Sequence, residues 1–246
     1  MAWRLDTNDI LWRTSCFDHN SDFTVAGWAR PVDLTNPWYG LTTTWNSSEA
    51  DGGDSLSFYD TNGGHKLAIE RHDGSIYSIN GTQGSTAIVV DTWYHIAIVA
   101  SGATGLEGFI NGVSDVSDTG SRGARGTSNR FSLGCWRATP AATEGVNARM
   151  WGWKAWTRAL TADQLKNEMR ANVPADLNSL WGWWPALSAG DLVDYSGNGR
   201  DQVVQIGALG TEDDPPVPWG HPVLIPQAGA VAGAPDTLTI SMKTVQ

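Results

Sequence analysis

The sequence predicts an all-β fold, a sandwich or barrel of short strands, with one short helix and an extended C-terminal arm. Three observations carry this. Short apolar runs recur at regular spacing, parted by Gly/Asn/Asp turns, and two of those turns, Asp73-Gly74 and Asn80-Gly81, have tight-hairpin chemistry. Gly is abundant at 28 residues while charged residues make up only 17% of the 246, against about a quarter in an average domain. Helical start and stop signals occur together in one place, between Leu160 and Pro174.

In chain order, Ile10 to Phe17 is the first strand candidate. FTVAGWAR, Phe23 to Arg30, is the second, and Pro31 ends it. Trp38 to Trp45 is the third, followed by a polar loop from Asn46 to Asp54. Shorter strands follow at Leu56–Tyr59, Lys66–Glu70, Ile76–Ile79 and Ala87–Val90. DTWYHIAIVA, Asp91 to Ala100, is the longest apolar run and reads as a central strand. Leu106 to Ile110 returns from it, and Asn111-Gly112 makes the next hairpin turn. Arg130 to Cys135 is a further strand.

The stretch from Asn147 to Met169 organises the chain. Its first half alternates Met150, Gly152 and Lys154 with Trp151, Trp153 and Ala155, the period-two pattern of a strand with one buried face. Its second half is the helix. Thr161 at the N-cap and Gln164 three residues on have capping-box spacing, and Leu160 with Leu165 have the spacing of a hydrophobic staple. Leu165 and Met169 share one helical face, and Asn172 and Pro174 supply the stop.

The wording of these segments resembles the laminin-G-like members of the concanavalin-A-like jelly rolls. Arg158 to Leu165 matches a strand-to-helix run of the type Arg-Ala-Leu-(Ser/Thr)-x-x-(Glu/Gln)-(Ile/Leu). Phe23 to Pro31 resembles the family's early Phe-Thr-Val-x-x-Trp-x-x-Pro strand. Trp93-Tyr94-His95-Ile96-Ala97 with Gly108-Phe109-Ile110-Asn111-Gly112 resembles its paired central strands, and Phe131 to Gly134 its Phe-x-Leu-Gly strand. LWGWWPAL, Leu180 to Leu187, and DYSGNGRD, Asp194 to Asp201, resemble a pair that usually opens the domain. Here it follows the helix, so the last strand is expected to fill a place normally taken by the first. The resemblance, from about Ile10 to Ile206, implies a jelly-roll β-sandwich over residues 1–210, with residues 211–246 as a separate Pro-rich arm.

Composition narrows the function. Hydrophobic residues at 41% suffice for one sizeable core, and most of the 14 Trp belong in it. The net charge of −10 argues against nucleic acid as partner, the run Arg122, Arg125 and Arg130 being a solvated loop. No run of about 18 apolar residues suits a membrane span. MAWRLDTNDILW has no apolar signal-peptide core, so the chain is expected to fold in a reducing cytoplasm with Cys16 and Cys135 both free thiols.

The concanavalin-A-like fold includes retaining glycosidases, which need two carboxylates about 5 Å apart on one strand face. Glu49-Ala50-Asp51-Gly52-Gly53-Asp54 comes closest, but its glycines break the strand that has to aim the acids, so no enzyme is expected. Asp51 with Asp54, and Asp191, Asp194, Asn198 with Asp201, are oxygen-rich loops of the kind calcium favours, and also ordinary turn chemistry. No other cofactor is expected. His95 reads as a satisfied core residue. Trp38, Tyr39, Trp45 and Tyr59 flank the Asn46–Asp54 loop as a candidate glycan platform.

The arm holds Pro215, Pro216, Pro218, Pro222, Pro226 and Pro235, which exclude regular elements. It keeps Trp219, Val223, Leu224 and Ile225, and closes with DTLTISMKTV, whose Leu238, Ile240 and Met242 alternate with polar residues as in a strand. These are candidate partner-binding residues. Signal-less laminin-G-like chains with a Pro-rich arm resemble bacteriophage virion proteins. That resemblance implies a structural, non-enzymatic head-decoration or tail-associated protein, held by protein–protein contacts or as a homo-oligomer and located in the virion. The alternative is a lectin-like module for cell-surface glycans, with calcium as an optional aid.

Overall fold

The computed structural model describes residues 2–6, 9–13, 16–18, 20–44, 53–60, 63–72, 82–102, 105–120, 130–135, 145–188, 190–206 and 209–212. Its strands are β1 (Ala2–Leu5), β2 (Ile10–Arg13), β3 (Phe23–Pro31), β4 (Trp38–Thr43), β5 (Gly53–Tyr59), β6 (Lys66–His72), β7 (Thr82–Ala87), β8 (Tyr94–Ser101), β9 (Gly105–Ile110), β10 (Val113–Asp118), β11 (Phe131–Leu133) and β12 (Ala148–Trp156). The helix α1 (Ala162–Met169) follows, then β13 (Leu180–Trp184), β14 (Val203–Ile206) and β15 (Gly210–Glu212).

Two antiparallel sheets face each other. Sheet A runs β10-β9-β8-β3-β12-β1-β15, with β13 also paired to β12; sheet B runs β14-β2-β11-β4-β5-β6-β7. This is the sandwich predicted from the sequence. The inner faces meet in one core holding Trp3, Phe23, Val25, Ile96 and Trp153 from sheet A, and Leu11, Tyr39, Phe58, Leu67 and Phe131 from sheet B. Cys16 and Cys135 are free thiols.

Several elements lie where the sequence placed them. Asn111 (φ 51) and Gly112 (φ 74) form the β9–β10 turn, both in the left-handed region that an Asn-Gly hairpin needs. Thr161 caps α1, with both halves of the capping box present. Others shift. The strand expected at Ala87–Val90 runs instead over Thr82–Ala87, and Val89 and Val90 are exposed. Asp54, expected in a loop, belongs to β5. Ala2–Leu5, too short to stand out as a periodic run, is a strand between β12 and β15. The Ile76–Ile79 segment and the turns at Asp73-Gly74 and Asn80-Gly81 lie outside the described residues.

β12 corrects the simple alternation. All nine of its residues are buried. Trp151 lies opposite Trp28 and Lys154 opposite Ala26, so Gly152 and Trp153 of β12 together oppose Gly27 of β3, a β-bulge. Gly152 sits there at φ 63. The extra residue turns Trp153 inward, against Gly27, and sends Lys154 to the outer face with Trp151 and Trp156. There α1 covers it: Trp156, Ala97, Val99 and Phe109 pack with Leu160 and Leu165 in a second apolar cluster.

β13 pairs with β12 along Trp153–Trp156, and β1 pairs with it along Ala148–Met150. With β3 on the other side, the late strand and the first strand share one flank of β12. β15 straddles the start of the segment read as an arm, pairing Gly210–Glu212 with β1. Residues 213–246, including Trp219, Val223, Leu224, Ile225, Leu238, Ile240 and Met242, lie outside the described residues.

Candidate functional site

Strand alternation gives sheet B a second, outward face. Leu56 and Phe58 of β5 point into the core, so Ser55, Ser57 and Tyr59 point out. Register extends this into rows. Trp38, Tyr59 and Lys66 form one, with Trp38 opposite Tyr59 and Tyr59 opposite Lys66. Gly40, Ser57 and Ala68 form the next. The third crosses five strands as Trp12, Ser132, Thr43, Ser55 and Glu70. The outcome is a trough whose rim residues Trp12, Trp38, Tyr59 and Lys66 are half-buried, while its small side chains, hydroxyls and the Glu70 carboxylate are all buried.

Trp38 and Tyr59 stack with ring centroids 3.6 Å apart, and both are half-buried. At the far end Arg130 lies over Trp12, its guanidinium carbon 4.4 Å from the ring centroid. Ser55 and Ser57 each donate to one oxygen of Glu70, both at 3.4 Å, which is long for a hydroxyl–carboxylate bond. Ser132 is fully buried, and its hydroxyl has no hydrogen-bond partner among the described residues.

Among the predicted platform residues, Trp38 and Tyr59 are brought together. Tyr39 is not with them: it is 1% exposed and points into the core. Its hydroxyl donates to Asp33 and accepts the Asn36 N–H at 2.9 Å. That bond, with others from Thr35 and Asn147, holds the Asp33 carboxyl down to about 2. Tyr39 therefore staples the β3–β4 loop. Trp45 lies outside the described residues. The sequence reading missed Ser57, Glu70, Ser132 and Trp12; the polar–apolar alternation Ser55-Leu56-Ser57-Phe58-Tyr59 was their visible trace.

Of the acids in the run Glu49 to Asp54, only Asp54 lies among the described residues. It pairs with Arg71 on the inward side of its strand, whereas Glu70 points outward. Asp54 and Glu70 thus stand on opposite faces and do not form a carboxylate pair. Among the described residues no three His, Cys, Asp or Glu side chains gather as a metal cluster, and no helix is long and apolar enough to cross a membrane.

The Asp194–Asp201 loop spends its polar groups on the chain itself. The Asp194 carboxylate accepts the N–H groups of Trp183, Ser196 and Arg200 at 2.9 Å and the Ser196 hydroxyl at 2.8 Å. Tyr195 N–H donates to Trp183 O, and Asn198 and Arg200 donate to Trp181 O. These bonds plug the outer edge of β13, which would otherwise offer an unpaired strand.

The family model of the concanavalin A-like lectin/glucanases superfamily matches residues 6–166. No curated protein matches the chain. Among solved structures, a Bacteroides ovatus protein proposed to bind carbohydrate superposes with a TM-score of 0.63 at 18% identity, over 87% of this chain and 60% of that one. The chain thus spans less than two thirds of that protein's length. A heptameric SAP-like pentraxin from Limulus polyphemus gives a TM-score of 0.51 at 14% identity, over 84% of this chain and 96% of that one. At these identities the likeness is one of fold.

Proposed function

Because the chain belongs to the concanavalin A-like lectin/glucanases superfamily, we propose that it is a non-catalytic carbohydrate-binding module that takes a glycan in the outward trough of sheet B. The observation that carries this is the half-buried Trp38–Tyr59 stack, ring centroids 3.6 Å apart, in the row that reaches the surface. The stacked, half-buried Trp38 and Tyr59 suit the apolar face of a sugar ring, Lys66 stands beside them in the same row as a polar partner, and the buried Ser55, Ser57 and Glu70 underneath hold that row in place. The Bacteroides ovatus neighbour, itself proposed to bind carbohydrate, agrees with this reading. A glycan array probed with the full chain, followed by titration of the hits, tests it. Binding is expected, with Trp38→Ala weakening it at least tenfold while the far-UV spectrum stays unchanged. No glycan bound, or Trp38→Ala binding as tightly as the original chain, would overturn it.

A second reading, attachment to a larger particle such as a virion through the C-terminal arm, is favoured by one observation: β15 leads the chain into that segment along the β1 edge of sheet A. Deleting residues 215–246 is expected to leave a folded sandwich that no longer oligomerises or attaches. Unchanged assembly would exclude it.

A further inference from the structure

One side-chain amide ties the covering loop to the start of β13. Nδ2 of Asn198 donates to Leu180 O at 3.0 Å and to Trp181 O at 3.2 Å, and lies 3.0 Å from the Ser196 hydroxyl oxygen. The Ser196 hydroxyl in turn donates to Asp194, the carboxylate that accepts the N–H groups of Trp183 and Arg200. Asn198 therefore acts on this edge as a donor toward three oxygens.

The residue after it is glycine, which has no Cβ to shield its own N–H. Asn198 and Gly199 are both exposed, Gly199 sits in the left-handed region at φ 66, and its N–H has no hydrogen-bond partner among the described residues. Asn111-Gly112 is the other Asn-Gly pair that lies wholly among those residues, and it uses its amide in the opposite sense. Oδ1 of Asn111 accepts the His95 N–H at 3.0 Å, and Gly112 is buried, with Lys166 so near that a Cβ would lie 2.5 Å from its Cγ. An aspartate could take over from Asn111 but not from Asn198, because an ionised carboxylate accepts and has no N–H to give.

We propose that Asn198-Gly199 is a spontaneous modification site, whose conversion to aspartate or isoaspartate releases the covering loop from β13. The Gly199 nitrogen gives its proton to water or hydroxide and attacks Cγ of Asn198. The new N–Cγ bond closes a cyclic succinimide, and Nδ2 takes up a proton and leaves as ammonia. Water then opens the ring. Cleavage of the N–Cγ bond gives aspartate; cleavage between that nitrogen and the main-chain carbonyl carbon of residue 198 gives isoaspartate, with the chain rerouted through the side chain. Water is consumed and ammonia released, and nothing is oxidised or reduced. Either product sets a carboxylate against the oxygens of Leu180 and Trp181, which lose a donor and gain a repelling neighbour. Arg200 also donates to Trp181 O, so its pairing with the new carboxylate would draw a second donor from that oxygen. Isoaspartate further lengthens the main chain between Asp194 and Arg200, whose N–H bonds that carboxylate at 2.9 Å. Asn198 is no part of the sheet B trough, so this site stands independently of the function proposed above.

Ageing the full chain in warm, mildly alkaline buffer, followed by peptide mapping with mass spectrometry, tests the chemistry. The peptide holding residue 198 should gain the mass difference between a hydroxyl and an amino group, and should do so before the peptide holding Asn111. The added negative charge lets ion exchange separate the aged form, which should melt several degrees below the fresh chain. Its Trp183 and Tyr195 amides should exchange with solvent at least tenfold faster. Asn198→Asp should reproduce both changes, while Asn111→Asp should melt as the original chain does. If Asn198→Asp fails to fold, the purified aged form still carries both readouts. The inference is overturned if Asn198 stays an amide under conditions that convert it in the denatured chain, or if Asn111 converts first. It is also overturned if the aged form melts and exchanges as the fresh chain does, or if Asn111→Asp is as damaging as Asn198→Asp, since the loss would then follow added charge rather than a lost donor.

Discussion

The Nζ of Lys154 lies 2.7 Å from Oε2 of Glu168, and both side chains are buried. This pair fastens α1 to the outer face of sheet A. Lys154 also donates to Ala171 O at 3.1 Å, and the other oxygen of Glu168 accepts the Asp176 N–H at 2.8 Å. Burial draws the Lys154 pKa below its ordinary value, and the Glu168 charge opposes that shift. Removing one partner strands the other. Lys154→Met should cost about 3–5 kcal/mol, while Lys154→Met with Glu168→Leu should recover most of the loss. Chemical denaturation of the two variants decides; a double variant as unstable as the single would refute this account.

His95 gives the fold a pH dependence. Burial, and then the nearby Lys154 charge, push its pKa from 6.5 down to about 3. In the unfolded chain His95 takes a proton below its ordinary value; in the folded chain it refuses one until far lower pH. Its contribution to stability is therefore complete above about 6.5 and is lost as pH falls toward about 3. The full loss is at most roughly 5 kcal/mol. Melting temperatures across that range should fall less steeply for His95→Gln than for the original chain, and equal slopes would exclude His95 as a source.

The sequence exposed the helix well because capping is local: Thr161 and Gln164 name their own geometry. It exposed the Trp38–Tyr59 end of the trough because each aromatic closes or opens a recognisable strand. It hid what depends on pairing. One extra residue at Gly152 exchanged the faces of Trp153 and Lys154, and no periodicity count shows a bulge in advance. Nothing in the chain pairs Lys154 with Glu168 until register and helix docking bury both. That Arg4, Arg149 and Arg30 stand opposite one another is invisible in the chain, because they are far apart in sequence and meet only through the β1–β12–β3 pairing.

The bulge makes a packing prediction. A Cβ on Gly27 would sit 2.5 Å from Cδ2 of Trp153, inside any tolerable contact. Gly27→Ala should destabilise by about 1–3 kcal/mol, since a fully buried indole has little room to shift. Trp153→Ala should cost about 3–5 kcal/mol. Calorimetry on both checks the pair. A Gly27→Ala protein as stable as the original would mean that Trp153 does not lie against β3.

The cap makes a smaller one. The Thr161 hydroxyl accepts the Gln164 N–H at 3.3 Å, and the Gln164 side-chain oxygen in turn accepts the Thr161 N–H at 2.9 Å. Thr161→Ala should cost about 1 kcal/mol. Thr161→Asn, which keeps an acceptor, should cost less. Equal melting of all three proteins would remove the cap from the list of stabilising contacts.

The last prediction separates metal from scaffold in the Asp194 loop. Its carboxylate already accepts three backbone N–H groups and one hydroxyl, and Asp201 accepts the Asp194 N–H at 2.8 Å. A carboxylate so occupied has little left for a cation, which would need several oxygens turned toward one point. Asp194→Ala should therefore destabilise by about 3 kcal/mol or more, because it leaves buried donors on β13 and its covering loop unsatisfied. Calcium should not change the melting temperature of the original chain, and a chelator should not lower it. If calcium raised that temperature and Asp194→Ala abolished the rise, the loop would be a cation site, and its bonds to β13 would be the arrangement adopted before the metal enters.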